Sequence, residues 1–279
     1  MSELQELGDL LKKKFLAKVN KLLARKPIKK REPITLSGAG KCQRQAMYKI
    51  LGAKKHSWGW RQKITLEDGD HAHDQLRKYL RSALQTREHF RLVDQEETVF
   101  LNVLGIKVRG HIDGRITRIC DCADHRDWPR DCVLEVKTAG PSTYPKFSRG
   151  DIPKDYKAQA NAYMAALGIT DTLFMVKDKA TGNFEFIPYK FDKEMMEQIF
   201  ERLGRITKFI RGESTELDRE HGPSERGYLP FDCNYCDYIL KCWKDRSPRK
   251  LDKKVVIYKV EPEVFDIPEE IETLLEERS

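Results

Sequence analysis

Residues 132–137 read Cys-Val-Leu-Glu-Val-Lys, with Val133, Leu134 and Val136 apolar and Glu135 and Lys137 charged. Side chains two apart on a strand share a face, so the stretch is expected as a core strand that projects Glu135 and Lys137 together while Val136 points into the interior. Working outward, further strands are expected at 96–101, 106–119, 172–177 and 184–188, in segments rich in Val and Ile. Helices are expected at 37–51, 70–84, 154–167 and 192–210, from apolar residues recurring every three or four positions. Residues 138–153 and 211–232 read as loops. Strands interleaved with helices in this order imply an α/β fold, a core sheet covered by helices.

The chain has 279 residues and a net charge of +8, distributed unevenly. Residues 12–61 hold 16 Lys and Arg against the single acid Glu32, whereas 261–279 hold eight acids against Arg278. The basic segment can attract a phosphate backbone by counterion release. Leu4, Leu7, Leu11, Phe15, Val19 and Leu22 predict an amphipathic helix over 3–25, followed by a basic linker. The expected organisation is therefore an N-terminal helix and linker at 1–33, a main domain at 34–250 and an acidic extension at 251–279. No apolar run approaches the ~18 residues of a membrane span. With no secretory signal read and an odd number of cysteines, seven, an intracellular compartment, cytoplasmic or nucleoid-associated, is expected.

Asp113 lies in His111-Ile-Asp-Gly-Arg115, upstream of Glu135 and Lys137. Two carboxylates can hold Mg²⁺ or Mn²⁺ through oxygen, and a neighbouring lysine can stabilise charge on a phosphoryl oxygen. His73 could add a nitrogen ligand, which would favour manganese somewhat. Gln159 and Tyr163, four apart on one helix face, could address one phosphate or base. Tyr144 in the loop after Lys137 could stack on an unpaired base.

The cysteines divide into Cys42 alone, then Cys233, Cys236 and Cys242 in C-x2-C-x5-C spacing. The last three can converge on one centre, and four thiolates would suit zinc or an iron-sulfur cluster. Cys120, Cys122, His125 and Cys132, between the two carboxylate strands, could form a small zinc site, but their tight spacing is poor for a zinc knuckle and free thiols in a hairpin are the preferred reading. Ser37-Gly-Ala-Gly-Lys41 departs from a phosphate loop, because Thr35 stands where a glycine is required and Cys42 follows the lysine.

Taken in order, Gly69-x3-His73, Gly110-His-Ile-Asp113-Gly, Leu134-Glu-Val-Lys137-Thr and Gln159-x3-Tyr163 resemble the motifs of the RecB-like branch of PD-(D/E)XK nucleases. The iron-sulfur members, among them the CRISPR adaptation nucleases and AddB-type nuclease domains, are the nearest in pattern. The resemblance implies a restriction-endonuclease-like core with a central mixed sheet flanked by helices. It implies His73, Asp113 and Glu135 as ligands of Mg²⁺ or Mn²⁺, with the Val136 carbonyl as a fourth, and Lys137 as the catalytic lysine beside Glu135 and Asp113. Gln159, Tyr163, Arg44 and Tyr144 would contact DNA. Ser37-x4-Cys42-x-Arg44 resembles the N-terminal part of the cluster motif, which implies a 4Fe-4S cluster on Cys42, Cys233, Cys236 and Cys242. The implied activity is a metal-dependent DNA exonuclease favouring single strands or free ends, in replication, recombination or repair. No helicase motor is read, so a helicase or recombination protein is an expected partner. The alternative is a noncatalytic DNA-binding recombination scaffold.

Overall fold

The structure is a computed structural model that describes residues 10–15, 17–18, 34–56, 60–85, 89–93, 96–251 and 257–261. Residues 10–15 and 17–18 are helical and exposed; the rest of the expected N-terminal helix, the basic linker and nearly all of the acidic extension lie outside the described residues. The chain divides into two compact units, Met1–Leu51 with Ser57–Asp218, and Gly52–His56 with Arg219–Ser279. Among the described residues no helix is long and apolar enough to cross a membrane.

The first unit contains, in chain order, α1 (Gln43–Ile50), α2 (Trp60–Gln85), β1 (Phe90–Val93), β2 (Thr98–Val103), β3 (Ile106–His111), β4 (Gly114–Arg118), β5 (Asp131–Ala139), the short α3 (Tyr144–Phe147), α4 (Lys154–Leu167), β6 (Asp171–Asp178), β7 (Phe184–Lys190) and α5 (Lys193–Ile210). A five-stranded sheet runs in the order β1-β4-β5-β6-β7, and β2 and β3 form a separate hairpin. β5 and β6 are parallel while the other pairs are antiparallel, so the sheet is mixed. A parallel pair needs a crossover, which α3 and α4 provide between β5 and β6.

β5 is central, and Val133, Leu134, Glu135 and Val136 are all buried. A strand covered on both faces reads as a near-continuous apolar run, with polar residues only where they have a task. Leu134 and Val136 pack with Leu76 of α2 and Met175 of β6. Phe174, Val176, Ala139 and Ala160 of α4 form another cluster with Tyr144, Phe147 and Ile152. Tyr144 and Phe147, expected in a loop, instead form one turn of helix with buried side chains.

The strand expected at 106–119 is divided. β3 pairs with β2, β4 pairs with β5 and β1, and Ile112 and Asp113 carry the chain from hairpin to sheet. The β4–β5 ladder ends at Gly114 opposite Leu134, and the Asp113 carboxylate then accepts the Val136 N–H at 2.8 Å. α2 begins at Trp60, ten residues before its expected start, because Asp68, Gly69 and Asp70, turn-prone in isolation, lie within the helix. α4 occupies its expected span, stopped by Gly168 in the left-handed conformation at φ 67°. α5 is capped by Asp192, whose carboxylate accepts the Met195 N–H, and buries Met196, Ile199, Leu203 and Ile206 at helical spacing.

The second unit contains α6 (Phe231–Asn234), α7 (Ile239–Cys242), β8 (Arg249–Lys250) and β9 (Tyr258–Lys259). Buried Asn234 donates to the Leu229 carbonyl at 3.0 Å and accepts the Tyr258 N–H at 2.8 Å, tying α6 to β9. Arg219 donates to the Cys242 carbonyl and lies 4.4 Å over the Trp243 ring, which is buried with Tyr238 and Ile239.

Candidate active site

Glu135 and Lys137 leave the same face of β5, opposite the face that Leu134 and Val136 bury under α2. α4 lies over the Glu135 face and brings Gln159 and Tyr163 to it. Lys137 Nζ donates to Glu135 Oε1 and, at 3.2 Å, to Gln159 Oε1; Gln159 Nε2 in turn donates to the Tyr163 hydroxyl at 3.2 Å. The Tyr156 ring centre lies 4.8 Å from Lys137 Nζ. Glu135 Oε2 is buried and has no hydrogen-bond partner among the described residues.

Asp113 approaches from the β3–β4 junction. Its Oδ1 faces His73 Nδ1 at 3.4 Å and Arg77 Nη1 at 3.6 Å, both from α2, while Oδ2 holds the Val136 N–H. Together, His73, Asp113, Glu135, Lys137, Gln159 and Tyr163 line a cavity of about 200 Å³, completed by Thr35, Ser37, Arg109, Gly110 and His111.

Burial raises the Glu135 carboxyl to about 7, with Lys137 opposing the rise and Asp113 adding to it. Lys137 is also buried, but the Glu135 and Asp113 carboxylates outweigh the desolvation and hold its proton more tightly than an ordinary lysine. Asp113 moves the other way. Its burial is outweighed by the hydrogen bond and charge of His73, the charge of Lys137 and the Val136 N–H, which keep it ionised below the usual carboxylate range. Burial also raises the Tyr163 hydroxyl and keeps it protonated. The cavity thus holds a firm carboxylate, a carboxyl that titrates near neutrality and a fixed cation, an arrangement of groups whose environments drive their proton affinities apart.

Several lining residues carried no assigned role in the sequence. Arg77, which reaches Asp113 without lining the cavity, follows His73 by four positions on one helix face, a spacing that could have drawn attention to it. Thr35, Ser37, Arg109 and His111 enter through the hairpin and the turn before α1, and only a three-dimensional fold brings those segments to β5. The Thr35 and Ser37 hydroxyls lie 3.1 Å apart at the rim, and His111 Nδ1 lies 3.1 Å from the Thr98 hydroxyl. Arg44 is not among the lining residues; it sits on α1, paired with Glu216. Tyr144 belongs to the apolar cluster with Phe147. Val136 is fully buried, contributing its N–H to Asp113.

No protein-family model matches the chain, and no curated protein sequence matches it. Among solved structures, the chain is similar to an alkaline exonuclease from Laribacter hongkongensis, at 12% identity over 64% of this chain and 88% of that one, with a TM-score of 0.46. It is similar to the same exonuclease in complex with dAMP at 12% identity, over 65% of this chain and 90% of that one, again with a TM-score of 0.46. These likenesses are partial, and the chemistry rests on the cavity itself.

The cofactors expected from the motif series are corrected by the structure. Among the described residues, Cys42, Cys233, Cys236 and Cys242 do not form a metal-ligand cluster, so neither the 4Fe-4S site nor the placement among iron-sulfur RecB-like nucleases holds. Among the described residues, the group of His, Cys, Asp and Glu whose ligand atoms all lie within 4.8 Å of one another is His89, Cys120 and Cys122. Cys42 stands at the N-cap position of α1; Cys233 lies in α6, Cys242 ends α7, and Cys236 lies between those two helices, its Sγ accepting the Tyr238 N–H at 3.4 Å. C-x2-C-x5-C spacing permits convergence without requiring it. Nor do His73, Asp113 and Glu135 form an assembled Mg²⁺ or Mn²⁺ site among the described residues. Asp113 is engaged by His73, Arg77 and Val136, and Glu135 Oε1 by Lys137.

Proposed function

We propose that this cavity hydrolyses phosphodiester bonds of DNA, favouring single-stranded or free ends, and that the first unit is a restriction-endonuclease-like nuclease core. The observation that carries the reading is the convergence of Lys137, Asp113 and Glu135 in one small polar cavity, with Glu135 Oε2 buried and unpartnered. Cationic and hydroxyl groups at its edge, Arg109, Thr35 and Ser37, are of the types that position a phosphate backbone. The volume suits a phosphodiester group, with the bases outside.

In this reading water attacks phosphorus, the P–O3′ bond to the leaving nucleotide breaks, and the departing 3′ oxygen takes a proton from solvent. Glu135, titrating near neutrality, takes the proton from water, since a base works best when its proton affinity lies close to the working pH. Lys137 stabilises the negative charge that grows on the non-bridging oxygen. Asp113 fixes His73 and Arg77 beside the site. Gln159 holds Lys137 toward Glu135, and Tyr163 holds Gln159.

The test is incubation of the purified chain with end-labelled single-stranded, duplex and circular DNA, with and without a divalent-cation chelator. Linear substrates are expected to shorten from an end while circles persist, giving 5′-phosphate and 3′-hydroxyl products. The chelator arm reads metal dependence directly. Absence of hydrolysis on every substrate, or an undiminished rate in Glu135→Gln, defeats the proposal.

Rate should also depend on pH. Hydrolysis is expected to climb as pH rises through about 7, where the raised Glu135 carboxyl loses its proton. Stability should move oppositely. A carboxyl whose folded-state proton affinity is raised supports folding fully below the unfolded value, and that support is lost as pH rises through about 7. Thermal unfolding of the wild type, compared with Glu135→Gln, should therefore fall further between mildly acidic and mildly alkaline buffer; parallel curves would contradict the assigned ionisation.

A further inference from the structure

The end of the sheet formed by β1 and β4 carries a second cluster, away from the residues that line the cavity. His89 immediately precedes β1, and Cys120 and Cys122 follow β4 by two and four residues. The backbone fixes their approach. Phe90 is paired with Arg118, and the Ile119 N–H donates to the His89 carbonyl at 2.8 Å, which prolongs the pairing by one step. Cys120 Sγ lies 2.7 Å from Cys122 Sγ, and Cys122 Sγ lies 3.6 Å from His89 Nδ1. All three side chains are partly buried. Arg118 Nη1 donates to the Cys120 carbonyl at 2.7 Å, which fixes the backbone that carries the first thiol. The thiolate is the form that binds metal.

We propose that His89, Cys120 and Cys122 form a zinc site that clamps the edge strand β1 to the end of β4. Two thiolates and an imidazole are the donor set that zinc takes in preference to hard, oxygen-seeking cations. Three protein ligands leave a fourth position for water or a small ligand. Thiolates at about 2.3 Å from a tetrahedral zinc lie roughly 3.7 Å apart, so binding separates the two sulfurs by about 1 Å through side-chain rotation. Binding releases the thiol protons, so affinity falls as pH is lowered.

β1 has only four residues and is the sheet's outer strand, with β4 as its one neighbour in the sheet. A metal joining the residue before β1 to the segment after β4 supplies a tie that so short a strand cannot provide by hydrogen bonds alone. Phe90, stacked on Trp128 at 5.3 Å, brings the following loop to the same end. The sequence singles out the two thiols but not their histidine. His125 and Cys132 are nearer in the chain to Cys120 and Cys122, whereas the imidazole at the cluster comes from His89, more than 30 residues upstream.

The full chain, purified without a histidine tag under reducing conditions, is titrated with Zn²⁺ and with Co²⁺ after chelation and dialysis. About one equivalent of zinc per chain is expected, and Co²⁺ should give thiolate-to-metal charge-transfer absorption and tetrahedral ligand-field bands. His89→Ala, Cys120→Ser and Cys122→Ser should each weaken zinc binding at least about tenfold, whereas Cys42→Ser, Cys132→Ser and Cys236→Ser should retain it. Alkylation followed by peptide mapping should show Cys120 and Cys122 shielded by Zn²⁺ in the wild type, a readout that does not depend on the variants folding. Zinc retained by all three ligand variants overturns the proposal. So does the absence of a cobalt–thiolate spectrum, or a Cys120–Cys122 disulfide that persists under the reducing conditions used.

Discussion

Lys137→Ala is expected to lower phosphodiester hydrolysis by about 10²–10³-fold, the range found when a preorganised group facing transition-state charge is removed. Two effects act in the same direction. The ammonium that would meet the developing oxyanion is gone, and Glu135 loses the cation that holds its carboxyl down to about 7. Burial and the Asp113 charge are then opposed only by the weaker influence of His73, so Glu135 stays protonated at neutral pH and cannot take the proton from water. Folding should suffer much less than turnover, because a buried carboxyl that loses its partner neutralises itself by binding a proton. The distinctive sign is in the pH profile. The residual activity of Lys137→Ala should rise at a higher pH than that of the wild type, whereas a purely structural lysine would lower the rate at every pH together with the melting temperature. Initial rates on end-labelled single strands, measured across the pH range beside thermal unfolding, separate the two. Wild-type turnover in Lys137→Ala would remove the lysine from the proposed chemistry.

How much of this was legible in the sequence depended on the range over which each signal acts. The helix over Lys154–Leu167 was readable because its apolar period and its terminal Gly168 are local. So was the shared face of Glu135 and Lys137, since strand alternation is a property of consecutive residues. The division at Ile112 and Asp113 was not legible. Asp113 and Gly114 are residues that strands disfavour, but they do not by themselves say that the chain changes sheets; the Asp113 bond to Val136, across 23 positions, shows where one sheet ends and the next begins. Likewise β1, four residues long, is defined by pairing with β4 more than by its own composition. The cysteines show the opposite failure. Spacing only permits convergence, and the four-cysteine set followed from the resemblance, while the cluster that forms draws its histidine from a distant strand end. His73, Asp113, Glu135, Lys137, Gln159 and Tyr163 were named from motif order. Their arrival at one cavity depends on the packing of α2 and α4 on opposite faces of β5, which no single motif encodes.

Gly110→Ala should impair both the fold and the cavity. A Cβ at this position of β3 would lie 2.5 Å from Tyr163 Cε1, 2.8 Å from Leu36 Cβ and 3.1 Å from Leu36 Cδ1. Neither neighbour is the free end of a flexible chain: Tyr163 is a ring at 1% exposure and Leu36 is fully buried. Relief therefore requires the hairpin to move away from α4, or the ring to move. Overpacking of this kind costs about 1–3 kcal/mol, with this site at the upper end because two rigid neighbours are struck together. For a chain of this size that corresponds to a melting temperature lower by roughly 6–12 °C. The chemistry is reached through the ring, since Tyr163 accepts the Gln159 amide N–H and Gln159 in turn accepts from Lys137. Turnover should consequently fall even well below the melting temperature, where the variant is still folded, because Lys137 loses the contact that orients it toward Glu135. Tyr163→Phe provides the separating comparison: it removes the hydroxyl link without adding volume, so it should reduce the rate while leaving the melting temperature nearly as in the wild type. Gly110→Ala melting within about 1 °C of the wild type and hydrolysing DNA at the same rate would show that β3 and α4 do not pack as closely as the structure places them.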